Sequence, residues 1–329
     1  MKRRDVLGLL AITGALITLP GDDVEPNVRG RMAASLLERG PELNRQLWSV
    51  FSLSDSKQAV YPPVQQHLGR LAKGLEESQT EGSRKQLCTL VGDLYQLAGE
   101  IFFDGNQYTE AAHCYMLAAS AAKEAGSFDL WACAMTRHAF IELYERRFAV
   151  AAPILSAASQ VARRGDSHLS TRYWVAAVQA EAYAGLGDLD SCKRALELAD
   201  QVHALGHENR NSGWLRFDGS RLAEERGTCY LQLGRPDLAE EALTTALEQK
   251  LSLRRRGAVL AQLAALGAQR GDVDHVMQYS NAALALADQT GSGFIGKKRK
   301  GLQARLAPLM GDGRVSDLHH QISALSGAA

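Results

Sequence analysis

LVGDLYQLAGEIFFDGNQYTEAAHCYMLAASAA, residues 90–122, reads as two helices joined by a tight break at Asp104-Gly105-Asn106. In the second helix Tyr108, Ala111, Tyr115, Ala118 and Ala122 recur at steps of three and four residues, which places them on one helical face. Small residues at Gly99, Ala111 and Ala118 let the two helices approach closely. The larger Phe102 and Tyr115 fill the space between neighbouring pairs.

The same template recurs downstream. A second copy carries Ala139, Phe148, Ala151, Leu155 and Ala158, and a third carries Ala180, Tyr183, Gly187, Cys192, Leu196 and Ala199. The fourth and cleanest has Gly227, Tyr230, Leu233, Gly234, Ala239, Leu243 and Ala246; a fifth, weaker one has Leu263, Ala264, Gly271, Val276 and Ala283. The small or apolar markers at 111, 151, 192, 239 and 276 are spaced by 40, 41, 47 and 37 residues. Gly99-x2-Phe102 followed by Ala111-x3-Tyr115-x2-Ala118 resembles the tetratricopeptide repeat, whose period is about 34 residues, so the helices or connections here are longer than the minimal unit. The expected fold is all-α, a right-handed superhelix (α-solenoid) of tetratricopeptide-like helical hairpins.

Composition agrees and excludes several functions. The 37 basic and 37 acidic residues of the 329 cancel, so no global field draws the chain to nucleic acid or to an acidic membrane. The five cysteines (Cys88, Cys114, Cys133, Cys192, Cys229) form no C-x-x-C pair and read as small buried hydrophobes in a reducing compartment. GSGFIGKK at 291–298 satisfies two phosphate-loop patterns, but a helix precedes it where both need a strand, so its glycines read as a break between helices. Lys297-Lys298-Arg299-Lys300 and Arg254-Arg255-Arg256 read as solvated helix faces, with contact to a phosphate or an acidic partner as the alternative. His203 and His207 lack the glutamate order of a zinc-protease helix, and His319-His320 offer only a pair. No nucleophile elbow is present. The expectation is a non-enzyme with no cofactor and no metal.

In chain order, Lys2-Arg3-Arg4 and the apolar run Val6 to Leu19 imitate an export signal, with part of a twin-arginine motif. Asp5 interrupts the start and no small-residue cleavage site follows, and the run is too short to span a bilayer. Two readings stay open: a cytoplasmic helix or linker, and export. Residues 1–26 form this segment and its acidic hinge; 27–82 are expected to be N-terminal capping helices, 83–290 the five repeats, and 291–329 a C-terminal cap. Within the cap region two short helices break at Gly40-Pro41, Trp48 points inward, and Tyr61-Pro62-Pro63 opens the next helix. Residues 206–219 read as a long polar connection that explains the 47-residue step.

From Leu43 onward the chain resembles the tetratricopeptide-type regulatory region of XRE-type helix-turn-helix transcriptional regulators of high-GC Gram-positive bacteria. The resemblance is carried by LWSVF at 47–51, PPVQQHLGRLAKGLEES at 62–78, residues 87–118, GLQARLAPLM at 301–310 and VSDLHHQISAL at 315–325. The opening MKRRDVLGLL is similar to the linker that follows the DNA-binding domain in that family, so no direct nucleic-acid binding is expected of this chain. The resemblance implies a peptide or protein partner held in a concave groove, a role in transcriptional regulation or signalling, a cytoplasmic location, and a homodimer as a compatible assembly. A structural protein–protein adaptor, exported if the N-terminus is a signal, is the alternative. It also implies that first-helix positions line the groove: Gln96, Glu100, Phe103 and Asp104 in the first copy, and Thr136, Phe140 and Tyr144 in the second. Trp174 and Glu181 belong to the third, and Arg221, Glu224 and Gln232 to the fourth.

Overall fold

A computed structural model describes residues 26–54, 56–78, 80–205, 214–215, 217–290 and 302–327. Among them every regular element is a helix: α1 Pro26–Leu53, α2 Tyr61–Glu77, α3 Glu81–Asp104, α4 Tyr108–Ala125, α5 Phe128–Tyr144, α6 Phe148–Ala162 and α7 Thr171–Gly185. There follow α8 Leu189–Asp200, α9 Leu222–Gln232, α10 Pro236–Glu248, α11 Leu253–Arg270, α12 Val273–Thr290 and α13 Gly313–Gly327, with short 3₁₀ turns at Lys57–Val60, Gln201–Ala204 and Ala307–Leu309. The architecture is the expected all-α stack of helical hairpins. The readings of the N-terminal signal, of GSGFIGKK, of Lys297 to Lys300 and of His207 lie outside the described residues.

Five hairpins share one turn. A single residue with positive φ stands two positions before each second helix: Asn106 at 59°, Arg146 at 60°, Gly187 at 78°, Gly234 at 65° and Gly271 at 74°. The next backbone N–H reaches back five residues to close the first helix: Gln107 to Phe102, Arg147 to Glu142, Asp188 to Tyr183, Arg235 to Tyr230 and Asp272 to Gly267, at 2.8–2.9 Å. This is the bond that satisfies an orphan carbonyl at a helix C-terminus when the following residue is left-handed. Three copies use glycine there, which has no Cβ to clash; Arg146 bears the strain.

The spacing markers all point inward. Ala111, Ala151, Cys192, Ala239 and Val276 are each fully buried. Close approach explains the glycines of the first helices. A Cβ at Gly99 would stand 2.3 Å from the Tyr115 ring, and one at Gly227 would stand 2.4 Å from Leu243, so each glycine is the notch for a knob on its second helix.

The chain divides into two compact units, Met1–Gln179 with Gln201–Asp218, and Ala180–Asp200 with Gly219–Ala329. The first is built on Leu47, Trp48, Leu71, Leu87, Leu94 and Ile101, where α1 and α2 pack on α3. The second is built on Leu243, Val259, Leu263, Val276, Leu306 and Leu318. Among the described residues no helix is long and apolar enough to cross a membrane.

Two local expectations are corrected. Gly40-Pro41 does not divide two helices, because α1 runs unbroken through it. Proline removes one N–H, but Leu36, Leu37, Leu43, Leu47 and Trp48 on both sides pack on the same core, and that burial outweighs one lost bond. Gly40 instead admits Leu90, whose Cδ1 would lie 2.7 Å from an added Cβ. The connection before α9 is also less polar than it reads: Leu215 and Phe217 are buried, and Trp214 packs on the first core.

Candidate functional site

In the first unit the side chains that join first helix to first helix converge on Arg137 of α5. Its Nε donates to Glu100 Oε1 at 3.1 Å, its Nη1 to Gln96 Oε1 at 2.5 Å and its Nη2 to the Trp214 carbonyl at 2.6 Å. The guanidinium also lies 5.0 Å from the centre of the Trp174 ring and 5.6 Å from that of Trp48. A planar cation with five N–H donors suits this task, since it bonds in its plane and stacks on its faces. Glu100 takes a second bond from the Tyr115 hydroxyl at 2.7 Å, so the knob that fills the Gly99 notch is tied to the same carboxylate.

Next to this network the Asp93 carboxylate receives Trp48 Nε1 on one oxygen and Asn44 Nδ2 on the other, both at 2.7 Å. Burial pushes its carboxyl up to about 6, against the pull of those two bonds and of the Arg137 charge. Asp93, Trp48, Leu37, Pro41, Leu90 and Trp214 line a cavity of about 470 Å³, with Arg45 and Gln86 among its more exposed walls.

A second cluster is aromatic. Phe103 stands 5.1 Å from Tyr144, 5.5 Å from Tyr108 and 5.9 Å from Phe140, centre to centre, and Tyr108 stands 5.7 Å from Tyr144. Phe103, Phe140 and Tyr144 gather at the C-terminal ends of the first helices α3 and α5, Tyr108 opens the second helix α4 beside them, and all four are half-exposed.

The second unit repeats the cross-helix device. Arg255 of α11 reaches back to α9, donating through Nε to Glu224 Oε1 at 2.8 Å and through Nη2 to the Ser220 carbonyl at 2.6 Å. Gln262 donates to the Thr228 hydroxyl one turn further along. Beside them burial pushes the Glu225 carboxyl up to about 8; Arg221 and Arg255 oppose the rise, while Glu181 and Glu224 add to it.

The residues expected to line a groove therefore fall into distinct environments. Gln96, Glu100, Trp174 and Glu224 are engaged by arginines of the same chain. Thr136 is fully buried and donates to the Ala132 carbonyl at 2.8 Å, while Phe103, Phe140 and Tyr144 pack on one another. Asp104 closes α3, Arg221 is exposed at the start of α9, and Glu181 and Gln232 are half-buried. Arg137, Asp93, Arg255 and Trp214 are the residues that the sequence reading passed over. Arg255 sits in a run read as solvated, yet its partner is a carboxylate on the neighbouring repeat.

Residues 221–252, the α9–α10 hairpin and the turn after it, match the tetratricopeptide repeat family. No curated protein matches the chain. A crystal structure of a Rap protein complexed with competence and sporulation factor is similar at 10% identity, the match covering 89% of this chain and 98% of that one with a TM-score of 0.52. The crystal structure of BtubC (BKLC) from P. vanneervenii is similar at 17% identity over 69% of this chain and 91% of that one, with a TM-score of 0.41. At such identities likeness speaks to fold alone.

Proposed function

We propose that this chain is a non-catalytic tetratricopeptide-repeat regulatory protein. It binds a peptide or a protein segment on the surface lined by its first helices, the concave side of such a repeat stack. One observation carries the reading: first helices of successive hairpins are tied by half-buried arginines to carboxylates and amides, beside a platform of half-exposed rings at Phe103, Phe140 and Tyr144. Polar groups locked by neighbours and rings that offer area at low entropic cost are what a peptide-binding face needs. Glu100, Phe140, Tyr144 and Trp174 form this face in the first unit; Glu181, Arg221, Glu224 and Gln232 offer a polar set without rings in the second. The Rap protein of similar fold, complexed with competence and sporulation factor, supports a peptide or protein partner. The resemblance to helix-turn-helix regulators supports a readout in transcription or signalling. Five buried, free cysteines suit the cytoplasm.

The test is selection of a random linear peptide library on the full chain. Selected peptides are then titrated into the wild type and into a Phe140→Ala, Tyr144→Ala, Trp174→Ala variant whose helical content is checked first. Affinity falls at least about tenfold in the folded variant, or about 1.4 kcal/mol, if these rings hold the peptide. Equal affinity for both proteins removes this face from consideration.

A further inference from the structure

We infer that the cavity between α1 and α3 is a receptor for one cationic group, a guanidinium or an ammonium, seated on the Asp93 carboxylate and against the Trp214 ring. The cavity holds about 470 Å³, ample for such a side chain, and both residues line it.

The argument begins with what Asp93 lacks. Its oxygens accept two neutral N–H groups, from Trp48 and Asn44. Two carboxylate oxygens offer about four acceptor positions, so capacity remains. Among the described residues no ammonium or guanidinium stands within ion-pair distance of it; Arg137, the cation whose charge reaches it, spends its donors on Gln96, Glu100 and the Trp214 carbonyl. A buried carboxylate without a cation is costly, and the burial that drives its carboxyl upward shows the demand left unmet.

The cavity walls answer that demand in kind. Pro41 has no N–H to give the Leu37 carbonyl, and both residues are among the walls, so one lining residue carries an acceptor deprived of its ordinary helical donor. Trp214 is also among the walls, its backbone held by the Arg137 bond, and an indole there is a group that attracts a cation. Arg45 at the wall does not repel a cation strongly, because Glu42 holds it through two bonds at 2.9 and 2.6 Å. An anion would meet Asp93 head-on. A neutral apolar ligand would strip Asp93 of its remaining water without replacing it.

The cation comes from an arginine or lysine of a bound peptide or from a free amine, and only this question of source rests on the peptide-binding reading. Full-length protein is titrated with acetyl-Ala-Ala-Arg-Ala-Ala amide, with the same peptide carrying citrulline, and with agmatine, following tryptophan fluorescence and calorimetric heat. Expected is binding of the arginine peptide, of agmatine, or of both, with the citrulline peptide at least about tenfold weaker, the size of one charge-assisted contact. The arginine peptide binding more tightly than agmatine identifies a side chain; the reverse identifies a free amine. Asp93→Asn, verified by its unfolding curve, abolishes the preference for arginine over citrulline, and Trp214→Ala, which leaves the carboxylate in place, weakens both cations by about three- to tenfold. Equal binding of arginine and citrulline peptides, an intact preference in folded Asp93→Asn, unchanged cation affinity in folded Trp214→Ala, or no response to any cation overturns the pocket. If library-selected peptides still bind while these cations do not, the pocket alone fails; if the cations bind and no peptide is ever selected, the peptide reading alone fails.

Discussion

Replacing Gly99 with alanine puts the packing logic of the repeat at stake with one methyl group. That methyl would lie 2.3 Å from Tyr115 Cε1, 2.6 Å from Cδ1 and 2.9 Å from Cζ, distances no relaxed contact shows. The ring cannot easily withdraw, being fully buried among Ala111, Ile141 and Phe102 with its hydroxyl fixed on Glu100 at 2.7 Å. Overpacking of this kind costs about 1–3 kcal/mol, and losing a hydrogen bond to a charged group adds about 1.5–3. The helix propensity gained from glycine to alanine returns about 1 kcal/mol. The net expectation is a loss of about 1.5–5 kcal/mol, read as a lower urea midpoint at unchanged slope by circular dichroism. Gly69 of α2 is the control: nothing lies within 4 Å of an added Cβ, so Gly69→Ala gains about 0.5–1 kcal/mol. A Gly99→Ala protein as stable as the wild type would refute the notch-and-knob account.

Three further outcomes follow from particular groups. Arg137→Met keeps the stem between Trp48 and Trp174 but strands Glu100 and Gln96; with Arg137 12% and Glu100 31% exposed, the loss is about 2–4 kcal/mol, and a double-mutant cycle with Glu100→Gln returns a coupling of about 1 kcal/mol or more. Glu225 has a native carboxyl near 8 against 4.5 when solvated, so from pH 4.5 to 8 the unfolded chain has released a proton that the native one keeps. Stability therefore falls as pH rises through that window and levels off above 8; Glu225→Gln flattens the fall and is the more stable protein at pH 8, with little difference near pH 4.5, by chemical unfolding at each pH. Arg146 occupies the left-handed turn position that glycine holds in three other hairpins, so Arg146→Gly gains about 1 kcal/mol in the same assay.

The hairpins were legible because their cause is periodic and local. Ala111, Ala118, Ala239 and Ala246 recur on one face, and small residues at fixed spacing have few uses other than close helix packing. The Arg137 network was not legible, because an arginine inside an amphipathic helix looks solvated and its partners lie 37, 41 and 77 positions away in sequence. Arg255 was hidden in the same way within a basic run. Trp214 escaped because its segment has no period to read, although three large apolar residues at 214, 215 and 217 in a polar connection were a sign of burial. Pro41 misled for the opposite reason: a local signal for a helix end was overridden by core contacts on both of its sides.

Hydrogen–deuterium exchange of the full chain, with and without a library-selected peptide, tests the binding claim most directly. Bound peptide should slow exchange in the first helices α3 and α5, around Glu100 and Phe140, and leave the outer faces of α4 and α6, where Met116 and Val150 are exposed, unchanged. Protection confined to α4 and α6, with α3 and α5 unaltered, would contradict it.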